Sequence, residues 1–226
     1  MEKNKKVGSL IGDSEDVNRR KDLSTVAMNK MFNIWIRKDR IKLKTRVKLY
    51  KALVKSVLLY NSSTWGITKA EEESLNAFHR KQLRRVLGVH YPTKITNKSL
   101  YKKTNEKPIS DTMREARWML FGHILRRNSN IPANVAMRFY FEENVKGFRG
   151  RPRTTLPVVL NQDLENYQNN VYSKNLQRHV LKLKCSQDLM KLSELAQNRE
   201  RWRQLVRGIV EAGEASSSVD EEATLL

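Results

Sequence analysis

The sequence predicts a mainly α-helical chain with a short N-terminal strand, a basic Gly-Arg-Pro loop and a disordered acidic tail. Three observations predict it. Apolar residues recur at helical spacing over residues 43–59. Thr68 and Glu71 have capping-box spacing ahead of a second such run. Strand-like patterning occurs only near the start, in Val7-Gly8-Ser9-Leu10-Ile11.

That strand leads into a Gly12-Asp13 turn, and a helix is expected from near Glu15 through Ala27, Met28 and Phe32 to Trp35. In the 43–59 helix, Leu43, Val47, Tyr50, Val54, Val57 and Leu58 share one face. Lys44, Lys48, Lys51 and Lys55 form a stripe on another. Like charges at that spacing repel by a few tenths of a kcal/mol per pair, so the stripe points to a phosphate-facing surface, with a solvated face as the plainer reading. A turn of small residues with two large aromatics follows, from Leu59 to Gly66. The next helix starts at Thr68, carries Leu75, Phe78, Gln82 and Val86 inward, and ends at Gly88. Arg80, Lys81, Arg84 and Arg85 crowd its last turns, where cations also suit the helix dipole. A helix at 111–127 is read from Met113, Ala116, Leu120 and Ile124, and further helical stretches at 158–168 and 186–210. The tail from Glu211 holds five acidic residues, no basic ones and a serine run, which reads as disorder.

Lys and Arg number 44 against 24 Asp and Glu, a net charge of +20 over 226 residues. So large a basic excess points to a polyanionic partner, nucleic acid first. The hydrophobic share is 39% and the mean hydropathy −0.66, which predicts a modest core with polar arms. No segment approaches the ~18 apolar residues of a membrane span, and the first residues lack the apolar stretch of a signal peptide. No membrane partner and no small-molecule substrate is expected. Cys185 is the sole cysteine, which excludes an internal disulfide and fits an intracellular protein of the nucleus or cytoplasm. The four histidines are scattered and show no ligand spacing, so neither a metal nor a cofactor is expected.

Phe148 to Arg153 reads Phe-Arg-Gly-Arg-Pro-Arg. Pro152 excludes a helix interior, and Arg149, Arg151 and Arg153 offer planar cationic forks that match phosphate oxygens, guanine edges and narrow minor grooves. Gly-Arg-Pro is also the core of an AT-hook, which gives a minor-groove DNA binder as an alternative. AT-hooks usually lie in disordered chains, often in several copies. This one is single and flanked by expected helices.

The order of several short blocks resembles LINE-type (non-LTR) retrotransposon reverse transcriptases. Leu10 and its neighbours from Val7 to Ile11, followed by Asn18-Arg19-Arg20 and Met28, are similar to the strand and helix after the catalytic motif. Leu58-Leu59-Tyr60 with Thr64-Trp65 resembles a Leu-Leu-Tyr-Gly-x-Glu-x-Trp block, with Asn61 where glycine is usual. Phe78 to Val89 resembles a Phe…Leu-Arg-x-Ile-Leu-Gly-Val stretch, and Gly122-His123-Ile124-Leu125-Arg126 a Gly-His-x-x-Arg block. Arg149-Gly150-Arg151-Pro152 with Thr155 looks like Arg-Gly-Arg-Pro-x-x-Thr-Trp, with Leu156 in place of tryptophan. Asp163 fits the aspartate that follows, and Asn198-Arg199…Trp202-Arg203 is similar to an Asp-Arg-x-x-Trp-Arg close. The similarity covers about residues 6–210.

The resemblance implies a palm-end remnant at 1–30, a helical thumb-like region at 31–130, the basic loop region at 131–157, C-terminal helices at 158–210 and the tail at 211–226. A thumb grips a template–primer duplex, which suits the lysine stripe and adds His123 and Arg126 to the nucleic-acid-binding set. No Tyr-Xaa-Asp-Asp sequence occurs, and two-metal nucleotidyl transfer needs clustered carboxylates. The expectation is therefore a binder of RNA, DNA or an RNA–DNA hybrid with no catalytic residues, not a polymerase or nuclease. A retroelement remnant without selected function is the other alternative. The oligomeric state is not legible.

Overall fold

The computed structural model describes residues 5–6, 9–10, 12–37, 39–142, 154–172 and 181–223. The chain is mainly helical and divides into two units: residues 1–62 with 67–113, and residues 63–66 with 114–226. The division falls inside a helix, between Met113 and Arg114.

Unit 1 opens with strands β1 (Lys5–Lys6) and β2 (Ser9–Leu10), paired antiparallel over two rungs. Of the expected 7–11 strand, residues 7, 8 and 11 lie outside the described residues. Helix α1 (Asp13–Lys30) follows, with Asp13, Glu15 and Asp16 at its positive end. Asp16 accepts from the Leu10 amide at 3.0 Å, and buried Arg20 donates to Ser9 Oγ at 3.1 Å, so α1 holds the hairpin through two side chains. The single helix expected to run to Trp35 breaks at Met31, and α2 (Phe32–Ile36) completes it. Trp35 is buried and donates its indole N–H to Met28 O at 2.8 Å, a bond that closes the elbow.

The 43–59 helix comprises α3 (Leu43–Tyr50), a π-helical turn (Lys51–Lys55) and α4 (Ser56–Leu58). Val47, Tyr50, Val54 and Leu58 are buried as the spacing predicts, while Leu43 and Val57 are half-buried. Arg46, not read as a core residue, is buried as well and donates to Val86 O and Ile41 O.

Helix α5 (Lys69–Leu87) has the predicted ends. Thr68 and Glu71 form the reciprocal capping box, and Gly88 closes the helix in the left-handed conformation at φ 69°. Leu75, Gln82 and Val86 are buried and Phe78 half-buried, joined by Asn76, His79 and Leu83. Helix α6 (Asn97–Thr104), absent from the sequence reading, is only two turns long and has a single buried apolar side chain, Leu100. Its cap is Thr96, whose hydroxyl accepts from the Ser99 amide at 3.3 Å. Met28, Trp35, Tyr50, Val54, Leu83 and Leu100 centre the core of this unit.

Helix α7 (Ile109–Leu125) runs from unit 1 into unit 2. Its inner face differs from the expected one. Met113 is buried, but Ala116, Leu120 and Ile124 are half-buried, while Arg117, Trp118, Phe121, Gly122 and Leu125 are fully buried. The stripe follows Trp118, Phe121 and Leu125, an apolar i, i+3, i+7 set, and Arg117 is accommodated beside it because it pairs with Asp163. Helix α8 (Pro132–Glu142) was not anticipated. The segment at 158–168 is α9 (Leu156–Tyr172). The segment at 186–210 is two helices, α10 (Ser186–Gln197) and α11 (Arg199–Ala223), separated by Asn198. Asn198 Oδ1 accepts from the Glu200 and Arg201 amides, so the break is also a cap.

The tail expected to be disordered from Glu211 instead continues α11 to Ala223. Ala212 is buried, and the position of Gly213 is set by packing: a Cβ there would collide with the Arg114 guanidinium. Residues 224–226 lie outside the described residues. The core of unit 2 is built on Trp118, Phe121 and Trp202, with ring centroids 5.7–6.2 Å apart.

Candidate nucleic-acid interface

The basic residues singled out from the sequence fall into distinct environments. In unit 1, Lys44 and Lys48 on α3 and Lys81 on α5 are exposed, and none forms an ion pair among the described residues. These three point a full positive charge into solvent. Helix α3 packs against α5, with Arg46 reaching across to the last turn of α5.

Lys51 and Lys55, the other half of the predicted stripe, are engaged. The π-helical turn presents both ammonium groups to one carboxylate, Glu106, at 2.6 and 2.8 Å. Glu106 follows Asn105, which ends α6 in the left-handed conformation at φ 50°, and its side chain is 1% exposed. A carboxylate taken out of water needs this pairing, because its lone pairs lose hydration. Lys51 remains 47% exposed in its side chain, and Lys55 only 15%. Sequence reading missed Glu106. The signal available was an isolated acid inside a lysine-rich stretch.

The arginines of α5 are also bound. Arg80 pairs with Glu73; burial lowers its pKa, but the Glu73 hydrogen bond and charge outweigh this and hold it above the usual value. Arg84 donates to Asn97 Oδ1 at 2.8 Å and to Ile95 O. Arg85 donates to Asn29 Oδ1 at 2.9 Å and to Gln82 Oε1. Their partners are neutral oxygens, and their geometry is fixed by the fold.

Behind α5 lies a buried polar stack. His79 is fully buried, with Nδ1 2.7 Å from the Tyr50 hydroxyl and its ring stacked between Tyr50 and Tyr101. Burial, and then the positive charge of Lys55, push His79 down to about 3, so it is neutral at physiological pH. Burial likewise drives the Tyr50 phenol upward.

In unit 2, His123 is exposed and accepts from Arg127 Nε at 3.3 Å. Arg126 is half-buried and donates to Ala196 O at 3.2 Å. Arg149, Arg151 and Arg153 lie outside the described residues. Of the described residues on either side, the Tyr140 hydroxyl is 3.2 Å from Thr155 Oγ1.

Several residues quoted from the short blocks have structural work of their own. Asn61 adopts φ 62°, a left-handed backbone that glycine enters freely and asparagine tolerates. Gly122 lies beneath the Trp202 indole, and any Cβ would overlap it. Trp202 donates to Trp118 O at 3.1 Å. Asp163 is buried and accepts from Arg114 Nε, Arg117 and Trp118 Nε1 at 3.2, 3.2 and 2.9 Å.

Among the described residues no three His, Cys, Asp or Glu side chains gather to hold a metal ion, and no helix is long and apolar enough to cross a membrane. Cys185 is exposed at the start of α10. No protein-family model, no curated protein and no solved structure matches the chain.

Proposed function

We propose that this chain is a nucleic-acid-binding fragment of a LINE-type reverse transcriptase, without catalytic activity of its own, that grips RNA or DNA backbone through basic helices. The observation that carries this reading is the set of unpaired, exposed ammonium groups at Lys44, Lys48 and Lys81, in a chain of net charge +20. Folded proteins without a polyanionic partner usually interleave signs on such faces. Lys44 and Lys48 are one helical turn apart and present point charges suited to successive phosphates. Arg84 and Arg85, held by neutral partners, add positive charge on α5 of the same unit.

The family assignment draws on the motif residues. Ser9 with Arg20, the left-handed Asn61, Gly122 beneath Trp202, and the buried Asp163 each have a packing reason to be the residue they are. Two of the quoted blocks, eighty residues apart, meet where Gly122 packs under Trp202, which supports reading them together.

Binding of the whole chain to a labelled duplex across a salt series tests the reading. Each neutralised phosphate on B-DNA contributes about 0.9 to the log–log slope. Lys44→Gln with Lys48→Gln is expected to lower the slope by about 1.8. A wild-type slope near zero would refute backbone gripping. Equal affinity for A·T-rich and G·C-rich duplexes is expected, since phosphate contacts carry no sequence information; a marked A·T preference would favour the AT-hook alternative. Template-dependent nucleotide incorporation by the chain would overturn the absence of catalysis.

A further inference from the structure

We infer that unit 2 carries its own phosphate-binding site, formed by Arg126, Arg199 and Arg203, which receives the phosphodiester oxygens of a nucleic-acid strand. The site rests on the nucleic-acid reading given above, but on different residues and a different unit. It lies where the ends of α7 and α10 meet the start of α11. Ser193 Oγ donates to Leu125 O at 3.2 Å, and Arg126 donates to Ala196 O at 3.2 Å, which fixes the Arg126 guanidinium there. Arg199 and Arg203 are one turn apart on α11, both exposed, at the edge of the face that buries Trp202 and Val206.

Three features distinguish this cluster from an ordinary solvated face. First, none of the three guanidinium groups forms an ion pair among the described residues, although Glu200 lies in the same turn. Second, the cations repel one another: burial lowers the Arg126 pKa first, and the charges of Arg199 and Arg203 lower it further. Third, arginines in the first turns of α11 stand at the positive end of a 25-residue helix, where the dipole disfavours them. A phosphate relieves all three at once, because its oxygens accept paired N–H bonds from planar guanidinium forks. The free amides of the α11 start are not the site, since Asn198 already accepts from two of them. The ligand contacts are made by side chains.

The test uses the whole chain and a fluorescently labelled deoxythymidine oligonucleotide, with binding followed by anisotropy across a salt series. Arg199→Gln with Arg203→Gln removes two exposed charges at helix positions that glutamine fills equally well. The slope is expected to fall by about 1.4, at about 0.7 per single-strand phosphate. Arg138→Gln with Lys182→Gln removes the same charge at other exposed positions of unit 2 and is expected to leave the slope near the wild-type value. Equal slopes for the first variant and wild type, or equal losses in both variants, would overturn the site while leaving the broader reading intact. Absence of any slope in the wild type would instead defeat the broader reading. Competition by inorganic phosphate alone at millimolar concentration would reassign the site to a free anion.

Discussion

Glu106 in unit 1 and Asp163 in unit 2 are both buried carboxylates held by two cations, and they differ in what surrounds the pair. Glu106 is gripped by lysines whose stems reach from a π-helical turn, one of them still half in water. Asp163 is gripped by Arg114 and Arg117, 11% and 4% exposed, with an indole N–H as third donor. A lysine at the rim recovers its hydration when its partner is lost, whereas the buried Arg117 guanidinium cannot. The same device is therefore adjustable in unit 1 and fixed in unit 2.

The comparison can be broken most directly at Asp163. Asp163→Ala strands buried Arg117, and is expected to lower the stability of unit 2 by about 3–5 kcal/mol. Hydrogen exchange should accelerate in α9 and α11 while α3 and α5 stay protected; equal acceleration everywhere would mean that the pair does not belong to unit 2 alone. Gly122→Ala forces a methyl into the Trp202 indole and should destabilise the same unit by about 1–3 kcal/mol, visible as a lower urea midpoint.

Unit 1 should respond instead to acid. The folded pKa of His79 is pushed down to about 3, below its unfolded value near 6.5. Between these values the unfolded chain binds one more proton, so stability is full above about pH 6.5 and falls as pH drops towards 3. His79→Phe should remove that component from a pH series of urea melts, and an unchanged slope would dismiss it. Glu106→Gln keeps the shape but releases the lysines, with an expected loss of about 1–3 kcal/mol and a gain in the salt slope of nucleic-acid binding. The smallest effect is Thr68→Ala, about 1 kcal/mol from the capping box, read by thermal melting.

The α5 helix was legible almost to the residue because its signals are local: Thr68, Glu71 and Gly88 act within one turn of themselves. The α7 stripe was misread because two apolar sets at helical spacing compete there, and the buried one lies beside Arg117, whose partner Asp163 is forty-six residues away. Short α6 escaped for want of enough apolar positions to set a period, and α8 because its apolar residues are nearly consecutive and mark no single face; α11 was ended too early because its acidic composition outweighed Ala212 and Gly213, which are packed. The lysine stripe was correct as a pattern on the chain. Its division into free and engaged halves was not, since Glu106 arrives from another helix end.

By itself, then, the sequence determined the helical class, the α5 caps, the 43–58 core face and the basic net charge, all of which follow from spacing and composition. Only the tertiary structure decided which cations remain for a partner. An ion pair or a buried acid is set by groups far apart in the chain, and only folding brings their charges within reach of one another.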